Sequence, residues 1–394
     1  MHVPKLRMKG YTHDWEEKDF STHAKPYFVS NKLIHHQNLL SLSYGKVIRK
    51  DIKSNKGLLP ASFDTYQIVQ DGIIVFRFTD LQNDKKSLRV GLAKEEGIIS
   101  PAYVCVKCED ILPEFLYLQL YAYDLRKIFY SMGDGMRQTL SYNDVKEMKI
   151  YVPCKEEQQN IIDYFKDLDS NISATTKKLE SLKQMKQACL QSMFPQGSNS
   201  KPKLRLKGYS DEWSSSNADN LFTTANERNR PDLPVLSAYQ DIRGMAPRSD
   251  TGYNIAHNKA NEVTYKVVKP GQFVMHLRSF QGGFAHSSVL GITSPAYTVF
   301  ELKEKEKHDD YFWKIILMSK SFIKRLELIT YGIRDGKSIS FEEFKEMEFL
   351  FPSLEEQRAI ASYFKTLEKE ISLNEQQIER LKQVKNTCLD KMFV

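Results

Sequence analysis

At 394 residues the chain is too long for one ordinary core, and at roughly 100 to 200 residues per domain it divides into two or more. Its net charge of +7 is modest, and alone it only hints at an anionic partner. The five cysteines (Cys105, Cys108, Cys154, Cys189, Cys388) make no even framework, the start lacks the apolar run of a signal peptide, and no stretch approaches roughly 18 consecutive apolar residues. A reducing cytosol is therefore the expected setting, and a soluble protein with neither a disulfide scaffold nor a membrane span is expected.

In chain order, PKLRMKGYTHDW at 4–15 opens a block of mixed α and β character. GIIVFRF (72–78) and YVCVKC (103–108) read as strands, and PEFLYLQLYAYDLRKIFY (113–130) as an amphipathic helix. A helix follows from Pro153, with Ile161, Phe165, Leu168, Ile172, Thr175, Leu179, Leu182, Lys186, Cys189 and Met193 spaced alternately by four and three. That heptad seam asks for a partner helix, and at ~1.5 Å per residue the helix spans on the order of 55 Å. The polar connector PQGSNSKP (195–202) then ends at PKLRLKGYSDEW (202–213), which matches the opening motif at eight of twelve positions.

The second block repeats the pattern. GQFVMHL (271–277) and YTVFEL (297–302) read as strands and DDYFWKIILMSKSFIKRLEL (309–328) as helical. The closing segment 352–393 matches 153–194 at 20 of 42 positions without a gap, with Ile360, Phe364, Leu367, Ile371, Asn374, Ile378, Leu381, Lys385, Cys388 and Met392 in the same seam register. GIISPAY (97–103) returns as GITSPAY (291–297). The chain is thus a tandem duplication, divided as 1–152, 153–194, 195–201, 202–351 and 352–394. Charge follows the division. Residues 1–153 carry 22 Lys and Arg against 18 Asp and Glu, residues 195–351 carry 22 against 19, and both helical segments are neutral.

The blocks diverge where the helices agree: LLSLSYGKVIRKDIKSNKG (39–57) and PVLSAYQDIRGMAPRSDTG (234–252) share little. Drift in exposed loops accounts for part of this. The divergent loops also hold side chains suited to DNA, because Arg and Gln read base edges and Lys neutralises phosphate. They are Lys46, Arg49, Lys50, Lys53, Asn55 and Lys56 in the first block and Gln240, Arg243, Arg248 and Tyr253 in the second. Arg77, Arg278, Ser279 and Gln281 (before Gly282 and Gly283), Arg137 and Gln138, and Arg334 and Lys337 complete the candidate DNA-binding set. The competing reading is a solvated loop at each position.

No catalytic residue is assigned. The chain has no G-x-x-x-x-G-K-[ST] loop, no G-x-G-x-x-G turn, and neither Asn-Pro-Pro-Tyr nor Asp-Pro-Pro-Tyr. Glu301-Leu302-Lys303 matches a nuclease Glu-x-Lys only at the level of chance. Cys105 and Cys108 lack the second ligand pair a zinc site needs, so strand packing is expected there and no metal site is assigned.

Together PKLRMKGY…W, GIISPAY/GITSPAY and the twice-repeated P-x-x-EEQ-x-x-I…F…L…I…L…LK…K…C-L…MF resemble the specificity subunits of type I restriction-modification systems. The resemblance spans essentially the whole chain. It implies an α+β fold: two globular mixed α/β target-recognition domains in tandem repeat, separated by two long helices forming an antiparallel coiled coil. It further implies double-stranded DNA as ligand, read as an asymmetric bipartite target, with methyltransferase subunits (two) and restriction/translocase subunits as partners. S-adenosylmethionine, magnesium and ATP then belong to those partners. Antiparallel pairing would bring Phe393 and Val394 to the start of the first block. The alternatives are a coiled-coil scaffold that reads no DNA, or a self-sufficient methyltransferase or nuclease.

Overall fold

The computed structural model describes residues 3–51, 60, 62–79, 88–132, 139–196, 199–239, 244–251, 259–276, 283–329 and 340–394. The chain divides into two compact units, Met1–Thr176 with Gln376–Val394, and Lys177–Glu375. Among the described residues no helix is long and apolar enough to cross a membrane.

In the first unit the short apolar runs become strands. They are β1 (Glu16–Asp19), β2 (Ala24–Pro26), β3 (Leu40–Ser43), β4 (Lys46–Arg49), β5 (Gln67–Val69), β6 (Ile74–Phe76), β7 (Val90–Leu92), β8 (Gly97–Ile99), β9 (Val104–Cys108) and β10 (Lys149–Val152). Helical turn α1 (Phe20–His23), helix α2 (Pro113–Leu125), turn α3 (Tyr142–Val145) and the start of the 38-residue helix α4 (Lys155–Ser192) complete it. An antiparallel sheet runs β2-β9-β6-β7, flanked by the pairs β1-β10, β3-β4 and β5-β8. Successive strand residues face opposite ways. Ile74, Phe76, Val90 and Val106 therefore join Phe115, Phe165 and Phe393 in the main core, while Val75 and Cys105 meet Leu40, Val69 and Ile99 on the other face.

The second unit has the same plan in β11 (Ser214–Asn217), β12 (Phe222–Thr224), β13 (Leu236–Ala238), β14 (Met245–Pro247), β15 (Lys266–Val268), β16 (Phe273–Met275), β17 (Phe284–His286), β18 (Gly291–Thr293), β19 (Thr298–Leu302) and β20 (Glu348–Phe351). Its helical elements are α5 (Ala218–Leu221), α6 (Asp310–Leu317), α7 (Lys320–Ile329), α8 (Phe341–Lys345) and α9 (Leu354–Lys391), which ends in the first unit. The sheet order β12-β19-β16-β17, with pairs β11-β20, β13-β14 and β15-β18, matches the first unit strand for strand.

The repeated GI[IT]SPAY motif has a geometric cause in both units. Ile98 and Ile292 donate their N–H to the carbonyls of Asn38 and Pro234, at 2.8 and 2.9 Å. A Cβ on Gly97 or Gly291 would lie 2.5 or 2.6 Å from those same oxygens, so only glycine admits the approach. Ser100 and Ser294 then accept from the amides of Ala102 and Ala296, closing the same turn.

Two helix expectations change. The segment 113–130 is α2 followed by a 3₁₀ turn (Ile128–Ser131), and α2 is buried on several sides, through Phe115, Leu116, Leu118, Gln119, Leu120, Ala122, Tyr123 and Asp124. It lies between the sheet and the long helices, so it lacks the polar face an amphipathic helix shows to water. The segment 309–328 is interrupted at Met318–Ser319 into α6 and α7.

The seam residues pair antiparallel within each unit. In the second, Lys183 meets Glu375 (2.7 Å), Lys186 meets Glu368 (2.6 Å) and Cys189 Sγ meets Tyr363 Oη (3.3 Å), so numbers rising along α4 meet numbers falling along α9. In the first, Cys388 Sγ lies 3.4 Å from Tyr164 Oη, and Lys385 lies 2.6 Å from Asp169. Cys189 and Cys388 are buried fillers at matched seam positions.

The PKLR motif staples helix ends. Arg7 grips Glu157 of α4 through two hydrogen bonds (2.7 and 2.8 Å), while Leu6 N–H donates to the Lys391 carbonyl at 2.9 Å. In the second unit Arg205 grips Glu356 (2.8 and 2.7 Å) and Leu204 N–H donates to Ser192. Phe393 packs on Trp15 at 6.3 Å, which is the meeting of chain end and first block that antiparallel pairing implies.

Candidate nucleic-acid interface

The first unit's divergent segment folds as a tight hairpin. Leu40, Leu42 and Val47 turn inward, and β3 pairs with β4 in the register Leu40↔Arg49 to Ser43↔Lys46. The two-residue turn is Tyr44 (φ 46°) and Gly45 (φ 75°), the double positive φ of the primed turn that matches strand twist. Its tip is tied to α2: Gly45 carbonyl accepts from Tyr117 Oη at 2.9 Å, and a Cβ on Gly45 would lie 2.8 Å from Tyr121.

Strand period separates residues that form one basic run in the sequence. Lys46 and Ile48 lie on the outward face with Ser41 and Ser43, and both are exposed. Arg49 projects from the other face, where Nη2 lies 2.5 Å from Glu95 Oε2. That contact holds the Glu95 carboxyl below its usual range. Lys50 is half-buried and its N–H donates to the Leu39 carbonyl (2.8 Å).

Arg77 follows β6, half-buried, its N–H bonded to the Arg89 carbonyl (2.8 Å). Beneath it lies a pair that sequence reading missed. Arg89 and Asp124 are both fully buried. Asp124 Oδ2 accepts the backbone N–H of Arg89 and of Val90, and Arg89 Nη1 donates to the Thr79 carbonyl at 2.9 Å. Burial pushes the Asp124 carboxyl up to about 6, against the opposing pull of the Arg89 amide. The latch fixes Thr79 and Arg89, the residues that follow β6 and precede β7.

In the second unit the hairpin β13–β14 is reached through Tyr239, whose N–H bonds the Gly244 carbonyl (2.8 Å) and whose hydroxyl turns back to the Pro247 carbonyl (3.3 Å). Arg248 follows β14, with Nε 3.4 Å from Ser237 Oγ. Nearby His286 Nε2 lies 2.6 Å from Asp310 Oδ2 and holds that carboxyl low, burial opposing. The remaining candidates, Lys53, Asn55, Lys56, Arg137, Gln138, Gln240, Arg243, Tyr253, Arg278, Ser279, Gln281, Arg334 and Lys337, lie outside the described residues. The structure therefore brings Lys46 and its hairpin neighbours together, sets Arg49 apart, and places Arg77 and Arg248 at strand ends.

Cys105 and Cys108 face different cores, Cys105 with Val75 and Leu40, Cys108 with the main cluster. Burial pushes both thiols up to about 12, the Glu114 charge adding at Cys108. They pack as strand residues. Among the described residues no group of three or more His, Cys, Asp or Glu is placed to hold a metal ion.

The family model described as "Type I restriction modification DNA specificity domain" matches residues 89–184 and 216–383, more than half of the chain. The chain belongs to this family. It is a type I restriction-modification specificity subunit, a protein of DNA target recognition. Among curated relatives of the family, the MjaVIII specificity subunit of Methanocaldococcus jannaschii is 23% identical over 320 residues, covering 76% of this chain and 74% of that protein. The HindI specificity subunit of Haemophilus influenzae is 31% identical over 87 residues, a match spanning 21% of this chain and 19% of that protein. In fold the chain is similar to the crystal structure of the type I S subunit from M. genitalium, with a TM-score of 0.59 at 14% identity over 100% of this chain and 99% of that one.

Proposed function

We propose that the chain reads an asymmetric, bipartite DNA sequence, one half by each unit, and docks two methyltransferase subunits and the restriction/translocase subunits of its complex. The observation that carries this reading is the strand-for-strand repetition of one scaffold bearing two unlike hairpins. A two-residue turn tied to α2 closes one, and a six-residue connection from Tyr239 to Gly244 closes the other. A shared frame with private edges is what two different half-sites require, because bases are read by side chains at groove edges while a common frame fixes register. The helices, charge-neutral and paired along a seam, serve as the common support and as the surface for partners.

The chemistry belongs to the partners. The chain supplies recognition, and S-adenosylmethionine, magnesium and ATP are held by the methyltransferase and restriction subunits. Calorimetry of the folded full-length chain with S-adenosylmethionine tests this: no stoichiometric heat is expected, and one-to-one binding would overturn it. The scaffold alternative predicts that the chain with its methyltransferase subunit methylates no defined sequence. Methylome sequencing separates the two.

A further inference from the structure

The β3–β4 hairpin presents a side chain that the fold itself does not ask for. Tyr44 takes φ 46°, the left-handed region in which Asn, Asp or Gly is at ease and a bulky L side chain is strained. Strain of this kind is usually repaid by internal packing, yet the Tyr44 ring is 76% exposed. The turn is held in place by Gly45, through the Tyr117 hydrogen bond and the close approach of Tyr121, so the ring stands on a rigid base. Beside it the outward face of the hairpin carries Ser41, Ser43, Lys46 and Ile48, two hydroxyls, a cation and an apolar group, with no carboxylate. In the second unit Tyr239 stands at the position of Ser43, and its hydroxyl is turned back to the Pro247 carbonyl.

We propose that Tyr44 is a DNA contact that sets part of the first unit's specificity, its ring packing against base edges, thymine methyls and sugars in the groove while Lys46 meets phosphate. This rests on the reading that the unit binds DNA. A two-stranded ribbon fits the major groove, where an aromatic side chain at its tip can pack on thymine methyls and base edges. A protein partner is the competing occupant. The carboxylate-free outward face, bearing Lys46, favours the polyanion.

The test uses the full-length chain and a random-sequence pool of double-stranded DNA, with wild type, Tyr44→Phe and Tyr44→Asn compared for sequences retained, affinity and unfolding temperature. Tyr44→Asn relieves the turn, so it should unfold at a higher temperature than wild type. Its affinity for the duplex selected by wild type should nevertheless fall about 5- to 150-fold, with base preference lost in one half of the motif. Tyr44→Phe keeps ring and strain and should behave as wild type in all three readouts. Unchanged affinity and preference in Tyr44→Asn would overturn the inference, as would a lower unfolding temperature or an equal loss in Tyr44→Phe. So would a Tyr44→Asn variant that weakens only association with the methyltransferase subunit. A wild type that enriches no sequence would instead overturn the DNA-reading function beneath it.

Discussion

Asp124 is a carboxyl placed where water cannot reach it, and its burial has a consequence for stability. In the folded chain it titrates at about 6 against an ordinary 3.8, so the folded state holds the proton more tightly. That favours folding at low pH, and the advantage is lost as pH rises through about 6. Asp124→Asn removes the titration. Between roughly pH 4 and pH 7 the unfolding temperature of wild type should fall relative to that of the variant, and parallel curves would contradict a buried, proton-hungry Asp124. Nothing in the sequence distinguished Asp124 or Arg89 from solvated charges, since each is buried by partners far along the chain. The same limit split the basic run at 46–50. Strand period puts Arg49 opposite Lys46, and the carboxylate that receives Arg49 lies 46 residues away.

Among elements, the staples at the helix ends are the sharpest case of one device used twice. Glu157 and Glu356 are each 1% exposed and paired with arginine. Arg7→Ala would leave the buried Glu157 without its cationic partner, only the Trp15 indole N–H (3.3 Å) remaining, a loss of about 3 to 5 kcal/mol. Hydrogen exchange should show the first unit loosened and the second unchanged, with Arg205→Ala giving the reverse. Equal loosening of both units by either variant would contradict separate staples. The heptad seams and their pairing were legible because a repeat of seven is local and sustained, and the second copy reproduced it in register. The character of α2 was not legible, because its burial depends on which surfaces the sheet and long helices bring to it. Nor was the interruption at Met318–Ser319, where no Pro or Gly marks the break. The hairpin at 40–49 was not read from the sequence, because a Tyr-Gly pair lacks the Asn or Asp that usually marks a two-residue turn, and Tyr44 emerges as a site only once its exposure and φ are known.

For the whole molecule, duplication made the architecture readable: each unit calibrates the other, and motifs that recur, such as PKLR and GI[IT]SPAY, prove to be joints of the scaffold. The candidate site was less readable because it resides in the parts that differ, where no internal copy offers a check. That same division carries the central claim, that each unit reads its own half of the target. Replacing residues 16–150 with the matching block of a relative leaves the second block and both helices intact. Single-molecule methylome sequencing of a host expressing this hybrid with its methyltransferase subunit should show one half of the methylated sequence altered and the other retained. A change in both halves together, or in neither, would contradict the account.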